Sequence, residues 1–323
     1  MACIDELVAY PLKSLDGVTV DRAVLGERGA LRGDRTYAFV RAGVDPHEAS
    51  VGGGGGYVNG KSEPAIHRLR ASYDLAGPTD ATPTAVTLRR PKREGVPSDE
   101  RTFELPAERP AIEAWVGEYL GYAVDLVREP DGGLPDDREL PGPTVVSRAT
   151  LETFASWFED VADAVEARRR LRPNVVLGDV PAFWEDRLFA DHGSRVRFRI
   201  GGDSDGSPDA AAGSGGSART SVEVLGVNPC QRCVVPSRDP DTGAETPDFR
   251  TTFVRNRRAT RPDWLDGDRF DHDFRLMVNT VVPERSWGEP VAVDDPVRIL
   301  GTVDSSGKAT GTDESARTGA NDP

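Results

Sequence analysis

The chain has 323 residues, a hydrophobic content of 37% and a formal net charge of -14, from 54 acidic and 40 basic residues. This length suffices for one large domain or two ordinary ones, and we expect two closely packed halves. The negative charge argues against nonspecific nucleic-acid binding, which depends on a cationic surface.

Only four of the basic residues are lysines, at positions 13, 61, 92 and 308. An acidic, lysine-poor chain is typical of adaptation to a salty cytoplasm, because hydrated carboxylates preserve solubility. A genome that favours arginine codons is the alternative explanation, and both can hold. The sequence contains no run of about 18 apolar residues and no signal peptide at its N-terminus. We therefore expect a cytoplasmic protein that binds neither membrane nor nucleic acid.

Short strands separated by turns are predicted for the first part of the chain. Apolar residues at helical spacing predict one helix over 107–120, and five consecutive glycines at 52–56 predict a loop tip. Such strands are typical of β-barrels, so we predict a β-barrel-like domain over 1–128. The β-rich runs lie at 4–10, 18–25, 36–40, 86–88 and 101–105.

A segment rich in Pro, Gly and Asp, 129–143, predicts a linker or long surface loop. The second domain is predicted over 144–302, and its apolar residues at helical spacing predict one helix over 149–170. Within it, the Gly- and Ser-rich segment 201–220 predicts an insertion loop, and a disordered tail is predicted over 303–323. The fold class is thus mainly β with α (α+β), with β-barrel-like domains. The predicted strands lie at 144–146, 175–177, 197–200, 221–227, 274–281 and 296–300.

The most distinctive segment is the Cys-x-x-Cys sequence that ends at Cys233, in a chain with three cysteines and four scattered histidines. A zinc site needs about four ligands, which this chain does not group together. A thioredoxin-like dithiol precedes a helix, which Pro236 disfavours here. Two inert, buried cysteines are a further alternative. One metal-bound thiolate is also reasonable, because Arg232 beside Cys233 favours the thiolate and thiolates suit redox-active metals.

Three basic residues, Lys13, Arg35 and Arg172, stand in turn-like contexts. In an acidic chain, inward-facing cations indicate a phosphate or another anionic ligand. The alternative for each residue is a surface charge or a local ion pair.

These segments together resemble the MOSC family, named for the C-terminal domain of molybdenum cofactor sulfurase. The first half is similar to the β-barrel domain that precedes MOSC in many members, and the second half is similar to MOSC itself. The matching segments, in order, are 10–14, 17–18, 34–35, 63–64, 147, 171–176, 183–186, 230–233, 239–243, 279–280 and 293–297.

Within this family the chain is most similar to the mitochondrial amidoxime-reducing component and its bacterial relatives, which bind a pyranopterin molybdenum cofactor and reduce N-hydroxylated compounds. The resemblance implies that Cys233 is the molybdenum ligand and the catalytic residue, whereas Cys230 is not a ligand. It also implies a set of residues that hold the pterin and its phosphate or belong to the same site. These are Lys13, Arg35, Ser147, Arg172, Asn174 and Arg232.

The sequence departs from the family pattern at Lys61, where an arginine is usual, and in its two glycine-rich loops. It has no four-cysteine ferredoxin module and no pyridoxal-phosphate domain. We therefore expect electrons from a separate ferredoxin, flavodoxin or reductase. The expected activity is molybdenum-dependent reduction of small N-hydroxylated compounds. The alternatives are a sulfur carrier or cofactor sulfurase-like protein with a persulfide on Cys233, and a catalytically silent pterin-binding module.

Overall fold

The computed structural model describes residues 1–45, 56–202, 221–263 and 270–304. Strands and helices alternate irregularly, which confirms the predicted α+β class. The strands are β1 Cys3–Ala9, β2 Val18–Val20, β3 Arg22–Val24, β4 Tyr37–Arg41, β5 Arg70–Gly77, β6 Asp80–Arg90, β7 Asp99–Glu104, β8 Val124–Arg128, β9 Val145–Ser147, β10 Val175–Gly178, β11 Ser194–Gly201, β12 Ser221–Gln231, β13 Arg275–Val281, β14 Pro290–Ala292 and β15 Val297–Asp304. The α-helices are α1 Arg109–Leu120, α2 Arg148–Ala155, α3 Ala164–Leu171 and α4 Phe249–Thr260.

Eight strands form one sheet, in the order β15-β11-β12-β13-β9-β10-β1-β2. The first strand of the chain lies inside it, because β1 pairs antiparallel with β10 and places Ile4 opposite Leu177. The strands β9 and β10 run parallel, and the other neighbours in this sheet are antiparallel. The sheet therefore combines residues from both predicted domains, whose boundaries stay a prediction.

No sheet among the described residues closes into a barrel, so the barrel-like part of the predicted fold is not confirmed. An isolated bridge between Cys3 and Pro296 nevertheless joins the start of β1 to the residue before β15. Beside it, the backbone N–H of Ile4 donates to the carbonyl of Asp295 at 2.9 Å. The long sheet thus curls until β1, next to one edge, meets the residue that precedes β15, the strand at the other edge.

The interior of this curled sheet holds one apolar cluster. In β11, Val196, Phe198 and Ile200 are buried at every second position, and Val222 and Val224 of β12 do the same. This alternation follows from the pleat of a strand, which turns successive side chains to opposite faces. Burial of these side chains, at about 1.5–3 kcal/mol for each large one, is what stabilises the sheet.

The N-terminal part also contains two smaller sheets, β4-β8 and β5-β6-β7. Helix α1 closes a separate apolar cluster over them, in which the Trp115 and Phe103 rings meet edge to face at 6.1 Å. The helix ends at Leu120 and is followed by Gly121, whose φ of 84° lies in the left-handed region that glycine adopts without strain. The predicted helix over 107–120 is confirmed.

The single helix predicted over 149–170 is wrong, because the chain forms α2 and α3 with a turn between them. The Asp163 side chain accepts a hydrogen bond from the N–H of Glu166 at 2.9 Å and so starts a new helix. In the turn, the Phe158 ring stacks on Phe249 at 4.5 Å. Burial of this ring outweighs the continuous helical spacing of the sequence.

Several elements differ from the predictions in other ways. Strands β5, β8 and β14 and helix α4 were not predicted, and β15 continues through Asp304, so the predicted tail begins too early. The rest of that tail, most of the predicted insertion loop and most of the glycine run lie outside the described residues. Of the helices described, none combines the length and the apolar character needed to cross a bilayer.

Candidate functional site

A cavity of about 730 Å³ lies where the turn after β1, the segment 129–143, the end of α3 and the end of β12 meet. Its size is within the usual range for small-molecule and cofactor sites. Strand β1 and helix α3 bring the two halves of the chain together there. The site therefore depends on residues that are far apart in the sequence.

Positive charge dominates the lining of this cavity. Ten lysine or arginine residues line it against three aspartates, whereas the whole chain carries a net charge of -14. Such a local reversal of charge favours an anionic ligand. The cations are Lys13, Arg35, Lys61, Arg70, Arg168, Arg169, Arg170, Arg172, Arg232 and Arg238, and the aspartates are Asp16, Asp136 and Asp137.

Left-handed backbone is concentrated at the cavity wall. Nine described residues other than glycine have a positive φ, and four of them line the cavity: Ser14, Arg35, Arg172 and Met277. For residues with a side chain this conformation is of the order of 1 kcal/mol less favourable. Strained backbone is common at ligand sites, so its clustering here supports a binding role.

Arg35 is held by an ion pair with Asp34 and by Asn174. Its Nη1 donates to Asn174 Oδ1 at 3.4 Å. The Asn174 amide also donates from Nδ2 to the Val8 carbonyl at 3.0 Å and accepts from the Thr144 N–H at 3.3 Å. Asn174 thus lines the cavity, but its amide is already engaged within the fold and supports Arg35.

Arg172 follows the last residue of α3 and donates from Nη1 to the Leu15 carbonyl at 2.7 Å. Among the described residues it has no carboxylate partner, and its guanidinium lies 4.1 Å from the centre of the Tyr10 ring. Burial lowers the pKa of Arg172, and the charge of Arg35 acts in the same direction. An anion beside Arg172 would relieve this unfavourable environment.

Lys13 is buried, and burial lowers its pKa. Its Nζ donates to the Leu134 carbonyl at 2.8 Å and lies 2.8 Å from Asp136 Oδ1. Lys61 Nζ lies 3.5 Å from the other oxygen of the same carboxylate. The partial loss of solvent in the cavity opposes ionisation of Asp136, although 56% of its side chain is exposed, but the two lysines outweigh this effect and lower its pKa. The segment predicted as a linker therefore forms part of the cavity.

Both Cys230 and Cys233 are half-buried and line the cavity, so the alternative of two fully buried cysteines does not hold. Arg232 Nη1 donates to Cys230 Sγ at 3.2 Å, and Nη2 donates to the Leu171 carbonyl at 2.8 Å. The sulfur atoms that Arg232 contacts are thus those of Cys230 and Met277, and its effect on Cys233 stays a prediction.

Groups of three or more His, Cys, Asp or Glu side chains suited to a metal ion are absent from the described residues. Thiolates are soft ligands that redox-active metals accept, so Cys230 and Cys233 are the cavity residues whose chemistry could hold such a metal.

Ser147 does not line the cavity, in contrast to the prediction. It is fully buried before α2, where its hydroxyl accepts a hydrogen bond from the Thr150 N–H at 3.1 Å. Its hydroxyl also lies 3.3 Å from the Pro181 carbonyl. These contacts satisfy the start of the helix and account for a serine at this position without a ligand.

Sequence reasoning missed several residues that the structure adds to the site. Asp136 gave no signal, because a Pro-, Gly- and Asp-rich segment predicts only a loop. Tyr10 lies in the first segment that resembles the family, 10–14, but no role was predicted for it, although it contacts two of the predicted arginines. His67 also lines the cavity, with Nε2 at 3.3 Å from the Gly60 carbonyl, and burial lowers its pKa.

Comparison with known proteins gives one family match. Residues 1–122 match a family described as the MOSC N-terminal beta barrel domain. The matched range includes the cavity wall from Tyr10 to Ala71. No curated protein matches the chain.

Proposed function

We propose that the chain, whose first 122 residues match the MOSC N-terminal beta barrel domain, is a MOSC-domain protein that binds a molybdenum cofactor in the cavity. MOSC domains are known from molybdenum cofactor-binding proteins. The observation that carries the proposal is a cavity in which a half-buried cysteine thiol meets ten cationic side chains. This combination suits a ligand that is both anionic and thiolate-bound.

The residues present fit such a ligand. Among the described residues, Arg172 and Arg232 lack carboxylate partners, and the Nε atoms of Arg232 and Arg238 are buried without a hydrogen-bond acceptor. The phosphate of a pyranopterin would provide acceptors for these donors, and charge-assisted hydrogen bonds of this kind are strong. We assign Cys233 as the protein ligand, with its thiolate as the soft donor.

When bound, the cofactor would supply electron transfer and oxygen-atom exchange at molybdenum. The chain's own part is binding and orientation. Arg172 and Arg232 offer donors to the anionic group, and Asn174 holds Arg35 at the cavity wall. We propose that the protein is an oxidoreductase in which a small N-hydroxylated substrate takes up a pair of electrons and two protons and releases water. A separate redox protein is proposed as the electron donor.

The test is metal analysis of protein purified from a host that makes the cofactor. Wild-type protein should contain stoichiometric molybdenum and reduce benzamidoxime with a chemically reduced dye. Cys233→Ala should lose both properties. The matched control is Cys230→Ala, which removes a thiol from the same cavity wall and should keep the metal. Wild-type metal content in Cys233→Ala would end the ligand assignment.

The sulfur-carrier alternative rests on the same half-buried thiol. It would be favoured by wild-type protein without molybdenum whose Cys233 peptide carries the mass of one additional sulfur atom. Protein with bound metal and an unmodified Cys233 peptide would reject it.

A further inference from the structure

We propose that Tyr10 is a positioning residue that holds the guanidinium groups of Arg35 and Arg172 together for a bound anion. The inference rests on the proposed anion-binding role of the cavity, and it concerns how the site is ordered before an anion binds.

One aromatic ring contacts both guanidinium groups. The Cζ atom of Arg172 lies 4.1 Å from the centre of the Tyr10 ring, and that of Arg35 lies 5.3 Å from it. The positive charge of Arg35 lowers the pKa of Arg172, which shows that the two like charges repel each other. The negative face of an aromatic ring attracts a cation, so the shared ring offsets part of this repulsion.

The ring itself is fixed on several sides. Tyr10 is buried, and its hydroxyl donates to the carbonyl of Pro173 at 3.0 Å, next to Arg172. A Cβ added at Gly17 would lie only 2.6 Å from Tyr10 Cε1, so glycine at that position leaves room for the ring. The ring therefore has little freedom to follow the arginines if they move.

The Tyr10 backbone completes the connection to Arg35. Its N–H donates to Asp34 Oδ1 at 2.8 Å, and the other oxygen of that carboxylate pairs with Arg35. In return, the Arg35 N–H donates to the Tyr10 carbonyl at 2.8 Å. One residue thus links a loop of the N-terminal part to the end of α3. Such preorganisation spares an anion the cost of ordering two long side chains.

The first experiment measures the affinity for inorganic phosphate by titration calorimetry at low salt. Tyr10→Leu removes the ring and should weaken binding about tenfold, whereas Tyr10→Phe keeps the ring and should remain within about threefold of wild type. Tyr10→Met serves as a second ringless variant if the leucine variant folds poorly. Wild-type affinity in a folded ringless variant would overturn the proposal, as would an equal loss in Tyr10→Phe.

Tyr73→Leu is the matched control. The Tyr73 hydroxyl also donates to a backbone carbonyl, that of Asp16 at 3.0 Å. Among the described residues, however, no cation lies over its ring. This variant removes a half-buried tyrosine ring and should keep its phosphate affinity. An equal loss of affinity in Tyr73→Leu would assign the effect to general packing and overturn the positioning role.

A second measurement needs no ligand. Phenylglyoxal modifies accessible arginines, and mass spectrometry reports the extent at each site. Tyr10→Leu or Tyr10→Met should raise labelling of Arg35 and Arg172 severalfold relative to exposed Arg255. Unchanged labelling would contradict the inference. If wild-type protein binds neither phosphate nor molybdenum, the proposed function fails, and this labelling still decides whether Tyr10 orders the two arginines.

Discussion

The side-chain amine of Lys13 lies 2.8 Å from the carboxylate of Asp136, at the wall of a cavity whose other charged side chains are mostly cations that favour an anion. Lys13 is buried, whereas 56% of the Asp136 side chain is exposed. A carboxylate of the protein thus stands beside two lysines, Lys13 and Lys61, that an anionic ligand would also contact. Asp136 is in this sense an internal competitor of the ligand.

Asp136→Asn should therefore strengthen phosphate binding, by about tenfold at low salt, because a nearby negative charge is removed. The effect should shrink at high salt, since exposed charges are screened. Titration calorimetry at two salt concentrations measures both. Asp137→Asn is the matched control, since Asp137 lines the same cavity and accepts hydrogen bonds from the N–H groups of Glu139 and Leu140. Weaker binding in Asp136→Asn would contradict the competitor role.

Arg172 and Arg169 should contribute unequally to anion binding. Arg172→Gln should weaken phosphate binding by about tenfold or more, because a hydrogen bond to a charged group contributes about 1.5–3 kcal/mol. Arg169→Gln should change the phosphate affinity by less than about threefold. The reason is that Arg169 already forms an ion pair with both oxygens of Asp241, at 2.7 and 2.8 Å, and the carboxylate offsets its charge. Equal losses in the two variants would show that existing ion pairs do not determine which cations bind the anion.

Ser147→Ala should lower the free energy of unfolding by about 1 kcal/mol and leave the molybdenum content unchanged. The reason is that the Ser147 hydroxyl caps α2 and does not reach the cavity. Urea denaturation and metal analysis test the two parts. Ser156→Ala changes an exposed serine at the other end of the same helix and should have little effect on stability. Loss of molybdenum with unchanged stability in Ser147→Ala would contradict this prediction and indicate that Ser147 contributes to cofactor binding.

Glu185 should make stability depend on pH. Burial, together with the neighbouring Asp186, raises the pKa of Glu185 from 4.5 to about 7. Between these two values the folded protein keeps a proton that the unfolded chain releases, so stability falls as pH rises, by about 1.4 kcal/mol per pH unit. Below pH 4.5 the contribution is fully present, and above about pH 7 it has been lost.

Glu185→Gln should remove this slope. Between pH 4.5 and about pH 7, the free energy of unfolding of the variant relative to that of wild type should therefore rise by about 3 kcal/mol. Urea denaturation at several pH values between 4 and 8 measures the effect. Glu159→Gln, at an exposed position, should leave the slope unchanged. A slope that persists in Glu185→Gln would assign the pH dependence to another group.

The features that sequence could predict are those with a short-range physical cause. The spacing of Ile112, Trp115, Val116 and Leu120 predicts one buried helical face, and α1 has it. The prediction of one helix over 149–170 was wrong, because the spacing of apolar residues does not show which distant side chain a ring such as Phe158 will contact. That partner, Phe249, lies far along the chain.

The site shows the same limit. Six of the seven residues implied by the resemblance line one cavity. A motif can indicate them because it specifies the residue type at each position of a turn. Motifs do not report hydrogen-bond partners, and so the contact of Arg232 with Cys230 was missed. Asp136 was missed for a related reason: its role arises only when Lys13 and Lys61 approach it in three dimensions.

The pairing of β1 with β10 has a consequence for dissecting this protein into pieces. A gene fragment that stops at residue 122 would keep β1 and lose the strand that covers it, and a fragment that starts at residue 144 would leave β10 uncovered. Exposed backbone donors and acceptors of that kind promote aggregation. A fragment cut at the bounds of the family match would therefore expose a strand edge that the whole chain keeps paired, and we expect it to aggregate more readily than the whole chain.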